Sequence, residues 1–92
     1  MYKILPYTYN KAEKLGVFVL PSDRRDKKID VFSFNGQYLC SVGAKGYKDY
    51  PTYLKLYGKK IADQRRRLYK IRHAVDRKKK GSPGWYADQL LW

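Results

Sequence analysis

Ile29-Asp30-Val31-Phe32-Ser33-Phe34-Asn35-Gly36-Gln37-Tyr38-Leu39-Cys40-Ser41-Val42 is a pair of β-prone runs joined by a turn signal. Asn-Gly between branched and aromatic residues predicts a two-residue type I′ hairpin, because both turn positions then need positive φ. That turn pairs Phe34 with Gln37, Ser33 with Tyr38, Phe32 with Leu39 and Val31 with Cys40. Alternation puts Ile29, Val31, Tyr38, Cys40 and Val42 on one face and Phe32, Phe34 and Leu39 on the other. Both faces are partly apolar, so one is expected against helices and the other against further sheet or chain. A small antiparallel sheet centred on residues 29–42, with two or three helices packed on it, makes the expected fold α+β.

Moving outward towards the N-terminus, Ser22 to Lys28 reads as a charged loop. Val17-Phe18-Val19-Leu20, bounded by Gly16 and Pro21, reads as a buried strand. Thr8 to Leu15 has helical character, with Thr8 as N-cap and Gly16 as stop. Residues 2–5 form a short strand that Pro6 would end.

Towards the C-terminus, Gly43-Ala44-Lys45-Gly46 breaks the strand. Pro51 suits the first turn of a helix running to Tyr57, with Gly58 as its C-cap. Lys59 to about Lys79 contains no Gly or Pro and predicts one long helix. Gly81-Ser82-Pro83-Gly84 is a break, and Trp85 to Trp92 is a short helix docked on the core. Ninety-two residues suffice for one small domain, 1–92, with one modest core. At 43% hydrophobic and 16% aromatic, the chain is too rich in core-forming residues for a disordered tail.

Charge is concentrated in the second half. Residues 45–81 hold fourteen Lys and Arg against three Asp, within a chain of net charge +13. Five tyrosines (Tyr47, Tyr50, Tyr53, Tyr57 and Tyr69) share that stretch. Dense cations attract a polyanion because each neutralised phosphate releases counterions, and interleaved rings add stacking surfaces. Nucleic acid is therefore the expected partner.

On the long helix, 100° per residue places Ile61, Leu68, Ile71 and Val75 on one stripe, read as the core side. Arg66, Lys70, His73 and Arg77 fall opposite and form the primary binding row. Arg67, Lys78, Lys79 and Lys80 extend it, while Arg65 and Arg72 border the apolar side. Asp63 with Arg67, and Arg72 with Asp76, have the spacing of i,i+4 ion pairs. A merely solvated helix face is the alternative reading of the row. A second contact combines Lys45, Tyr47 and Lys48 after a glycine loop whose N–H groups approach phosphate; its alternative is a tight turn whose tyrosines complete the core.

Enzymatic signatures are lacking. His73 is the only histidine, the acids are scattered, and there is no P-loop, zinc signature or dinucleotide fingerprint. Neither a catalytic residue, a metal site nor a cofactor is expected. Cys40, the only cysteine, cannot form an internal disulfide and reads as a small buried residue. No apolar run approaches a membrane span, and the N-terminus lacks a secretory signal. The expected setting is intracellular or inside a particle assembled there.

Gly43-Ala44-Lys45-Gly46-Tyr47-Lys48-Asp49-Tyr50, Arg67-Leu68-Tyr69-Lys70-Ile71-Arg72-His73 and Trp85-Tyr86-Ala87-Asp88-Gln89-Leu90-Leu91-Trp92 together resemble a family. It is that of the short, basic, functionally uncharacterised proteins encoded by large DNA viruses of algae and protists, over roughly residues 28–92. The resemblance implies a viral context: genome organisation, or a place on the inner face of a capsid. The function expected is non-enzymatic binding of duplex DNA through backbone charge with weak sequence preference. The first rival is a structural virion component, a minor capsid or scaffold protein. The second is a nuclease or its accessory subunit.

Overall fold

In a computed structural model, residues 2–92 are described, and the chain is α+β. It divides into two compact units, one ending at Tyr47 and the other spanning Lys48–Trp92.

The first unit holds helix α1 (Pro6–Leu15) and strands β1 (Val17–Pro21), β2 (Lys27–Ser33) and β3 (Tyr38–Ala44). The strands form an antiparallel sheet in the order β1-β2-β3. Pro6 opens α1 rather than ending a strand, since its fixed φ suits the first helical turn. The cap is accordingly Leu5 rather than Thr8, and residues 2–5 are not a strand. Thr8 turns inward instead and is fully buried beside Ala12 on the side of α1 that packs against β1. Gly16 ends the helix at φ 73°, as expected.

β1 pairs only with β2, so it is an edge strand. Val19 is buried, whereas Phe18 and Leu20 face solvent, which corrects the expectation of a buried strand. The charged loop is shorter than its composition suggests, because β2 begins at Lys27.

The hairpin forms with a different turn. Val31 pairs with Cys40 and Ile29 with Val42, as the sequence predicts, but a bulge then sets Phe32 opposite Tyr38. Among the described residues none except glycine has positive φ, which excludes type I′ at Asn35. Instead, Ser33 N–H donates to Gln37 O and Gly36 N–H to Ser33 O, both at 2.8 Å, with Gly36 alone at φ 89°. The Ser33 hydroxyl explains the choice. It donates to Asn35 Oδ1 and accepts from Gln37 N–H at 3.1 Å, stabilising a three-residue loop. The bulge brings Tyr38 onto the Phe32 face, where the rings meet edge-on at 5.9 Å. Tyr38 and Ser41 hydroxyls bond at 2.7 Å, and Ser41 donates onward to Asp30 at 2.6 Å. Ile29, Val31, Val42 and Val19 form the dry side. Cys40 is only half-buried; burial, aided by Asp30, pushes its thiol pKa up.

The second unit holds α2 (Tyr50–Tyr57), α3 (Lys59–Arg72), a 3-10 turn (Asp76–Lys78) and α4 (Pro83–Leu91). Asp49 caps α2, accepting from Thr52 N at 3.0 Å and Thr52 Oγ1 at 2.6 Å. Gly58, at φ 86°, closes α2 and opens α3. Ser82 caps α4 through Trp85 N–H at 3.2 Å, so residues 81–84 serve as the entry to that helix.

α3 stops at Arg72, short of the expected Lys79. Ala74 N–H tightens onto Ile71 O, leaving Lys70 O without its regular partner. Arg77 Nε donates to that carbonyl at 3.2 Å and holds the turned chain in place.

Candidate nucleic-acid interface

α3 is rotated relative to the expectation from hydropathy. Ala62 and Tyr69 are buried, while Ile61, Leu68, Ile71 and Val75 are 38%, 48%, 64% and 73% exposed. The stripe read as core is therefore the outer face. Aromatic and ionic partners explain the rotation. Tyr69 stacks on Trp92 at 4.3 Å and 6°, and on His73 at 4.4 Å. Arg66 sits over the Tyr50 ring at 3.8 Å, and Arg65 over Tyr53 at 5.6 Å. Lys70 Nζ donates at 2.7 Å to Asp88, which is only 4% exposed. A helix with Ala62, Arg66, Tyr69 and Lys70 inward satisfies all of these at once. The aliphatic stripe offers none of them.

The predicted row consequently meets carboxylates. Asp63 accepts from Tyr50 Oη at 2.8 Å, Lys59 Nζ at 2.6 Å and Arg66 Nη2 at 3.4 Å. His73 Nδ1 lies 3.4 Å from Asp76. Asp63 thus engages Lys59 and Arg66 rather than Arg67, and Asp76 engages His73 rather than Arg72, which replaces both expected i,i+4 pairs. Hydrogen bonds from Lys59 and then Tyr50 hold the Asp63 carboxyl below its usual range. Burial, then the bond to Asp63, raises the Tyr50 phenol. Burial, reinforced by Asp88 and Asp76, pushes the Tyr69 phenol up to about 12.

A groove survives this pairing. Arg66, Arg67, Lys70 and Arg77 line one open depression of about 590 Å³, with Asp63 on its wall and Ile71 and Ala74 adding apolar surface. Arg67 makes no ion pair among the described residues, and Arg77 is held only by a backbone carbonyl. Lys78, Lys79 and Lys80 follow directly and are exposed. The turn after Arg72 returns Arg77 to the groove although no helix carries it there. His73 does not line it.

Of the second predicted contact, Lys45 and Tyr47 belong to the first unit and Lys48 to the second. All three are exposed; Lys45 and Tyr47 lie in a turn that Tyr47 N–H closes on Ala44 O at 3.4 Å, and Lys48 follows it. Of the other tyrosines in that stretch, Tyr50 and Tyr69 are buried. Asp49 and Asp88, buried anchors of the second unit, were not distinguished by sequence; only the Asp-x-x-Thr capping spacing pointed to Asp49. Among the described residues no group of His, Cys, Asp and Glu is placed to hold a metal ion. Among the described residues no helix is long and apolar enough to cross a membrane.

No family model, curated protein or solved structure matches this chain. The viral resemblance stands on its motifs alone.

Proposed function

We propose that the protein binds nucleic acid without catalysis, gripping the backbone of duplex DNA with weak sequence preference in the service of viral genome organisation. The observation that carries this reading is the groove that gathers Arg66, Arg67, Lys70 and Arg77. Its unit has thirteen Lys and Arg against four Asp, of which Asp49 caps α2 and Asp63 and Asp88 are in ion pairs. Among the described residues Arg67 and Lys78 to Lys80 make no ion pair.

The groove's lining also selects the form of polyanion. It has no aromatic ring on which an unpaired base would stack, which favours the duplex over a single strand. It has no Asn or Gln for base-edge readout, so contact stays with phosphate. The viral resemblance supports DNA over RNA.

Arg66 and Lys70 are already partnered, so the available set is Arg67, Arg77, Lys78, Lys79 and Lys80. About five phosphate contacts should reduce affinity by roughly two to three decades between about 50 and 200 mM salt. A titration with duplex and single-stranded oligonucleotides at those two ionic strengths tests this. Reversing Lys70 would set a carboxylate against Asp88 and unfold the unit, so the informative variant is Arg67→Glu with Lys78, Lys79 and Lys80 changed to Gln. Loss of duplex binding with an unchanged circular dichroism spectrum is the expected result. Undiminished binding by that variant, or none by the parent at low salt, overturns the reading.

A further inference from the structure

The outward stripe of α3 has the spacing of a helix–helix seam. Ile61 and Leu68 take a positions seven residues apart, and Gln64 and Ile71 take the d positions. Lys60 and Arg67 then occupy g positions, and Arg65 and Arg72 occupy e positions. All four flanking residues are cations. The only acid of α3, Asp63, lies on the inner side with Tyr50, Lys59 and Arg66. Three large aliphatic side chains on one exposed helix face, with exposed Val75 just past its end, exceed the scattered apolar residues of an ordinary surface.

Charge indicates what covers this face. A second copy would set Lys60, Arg65, Arg67 and Arg72 against themselves, and like charges at e and g oppose pairing. The net charge of +13 adds to that repulsion. A phosphate backbone gives Leu68 and Ile71 nothing apolar to meet. We propose that this face docks an acidic amphipathic helix of another protein, with apolar residues at a and d and Asp or Glu beside them. α3 is already folded, so only the partner loses conformational freedom on docking. Its two heptads span about 20 Å. That is a small contact, for which micromolar affinity is expected.

Arg67 and Ile71 also line the groove, so the test uses Lys60, Leu68 and Arg72, which do not, and is run without nucleic acid. The probe is a labelled three-heptad peptide with Leu and Ile at a and d and Glu at e and g. It is titrated into the full chain without nucleic acid and compared with two others: one with Lys for Glu, one with Ser at a and d. Only the first should bind. Leu68→Glu should abolish binding with an unchanged melting temperature. Lys60→Glu with Arg72→Glu should weaken the Glu peptide by at least about tenfold and admit the Lys peptide. Equal binding of the Ser peptide would mean bulk charge alone, and failure of the Glu peptide would mean no such seam; either overturns the proposal. So does a dimer by sedimentation, or capture by phosphatidylserine vesicles without peptide binding, if Leu68→Glu removes it.

Discussion

The sheet and helix α3 settle which face to bury in different ways. On the sheet, Ile29, Val31, Val42 and Val19 are inside on the one face that alternation gives them, while Phe18 and Leu20 of the edge strand are out. In the helical unit, Leu90 and Leu91 of α4 are inside together with Tyr69, Ala62, Tyr50 and Asp88, while Ile61, Leu68 and Ile71 of α3, and Val75 beyond it, are out. A strand's faces are fixed once its backbone pairs, because alternation leaves only two choices. A helix can rotate about its axis, so its inner face is chosen by whatever neighbours offer. Here they offer a stacked tryptophan, tyrosine rings for two guanidinium groups and a buried carboxylate for Lys70.

Paired truncations should break or uphold this contrast most forcefully. Tyr69→Ala removes a buried ring stacked on Trp92 and should cost roughly 3–4 kcal/mol, while Leu68→Ala, one residue away, should stay within about 0.5 kcal/mol. In the sheet unit the aliphatic residue should dominate: Ile29→Ala costs about 2–4 kcal/mol and the exposed Phe18→Ala under about 1 kcal/mol. Urea denaturation of the four variants measures all of this. A Leu68→Ala loss matching that of Tyr69→Ala would restore the aliphatic stripe to the core and end the contrast.

Much of the sheet was legible because strand alternation leaves only two choices of buried face. The Val31–Cys40 and Ile29–Val42 pairs follow from a hairpin whose two arms alternate. The loop was misjudged because the Ser33 hydroxyl competes for the turn, a local hydrogen-bond choice that the Asn-Gly pair masks. In α3, two stripes of similar length compete, and hydropathy alone prefers Ile61, Leu68, Ile71 and Val75. The deciding partners, Asp88 and Trp92, lie eighteen or more residues along the chain and carry no local signal. The groove was legible in part. Spacing put Arg66 and Lys70 together, as they are, but Arg77 reaches them by a turn rather than along the expected helix, His73 does not line the groove, and Asp63 and Asp88 claim two of its cations without any local signal.

Asp88 provides the next test, of middle size. An asparagine in its place would keep the shape but leave the Lys70 ammonium, about a third exposed, without its counter-charge. Asp88→Asn should therefore destabilise the helical unit by roughly 2 kcal/mol, less than a fully buried broken pair because water still reaches Lys70. Both tryptophans, Trp85 and Trp92, belong to this unit, so tryptophan fluorescence during denaturation follows it specifically. A double-mutant cycle with Lys70→Met should recover part of the loss. Additive losses in that cycle would mean that the ion pair does not orient α3.

The smallest expected effect concerns Asp63, where the helical unit's polar interior meets solvent. Its carboxyl is held below the ordinary value of 3.8 by the bonds from Lys59 and Tyr50. In the unfolded chain the group returns to that ordinary value, so the unfolded state takes up the proton first as acid is added. The stabilisation from Asp63 is therefore complete above pH 3.8 and declines as the pH falls below it, through the depressed folded-state value. Asp63→Asn removes that dependence while preserving an acceptor for the Tyr50 hydroxyl. Melting followed by tryptophan fluorescence should show the parent and variant differing by a constant amount at neutral pH and converging below pH 3.8. A gap that persists unchanged into strong acid would mean that Asp63 titrates alike in both states, and that the polar hub around it does not set the acid limit of the helical unit.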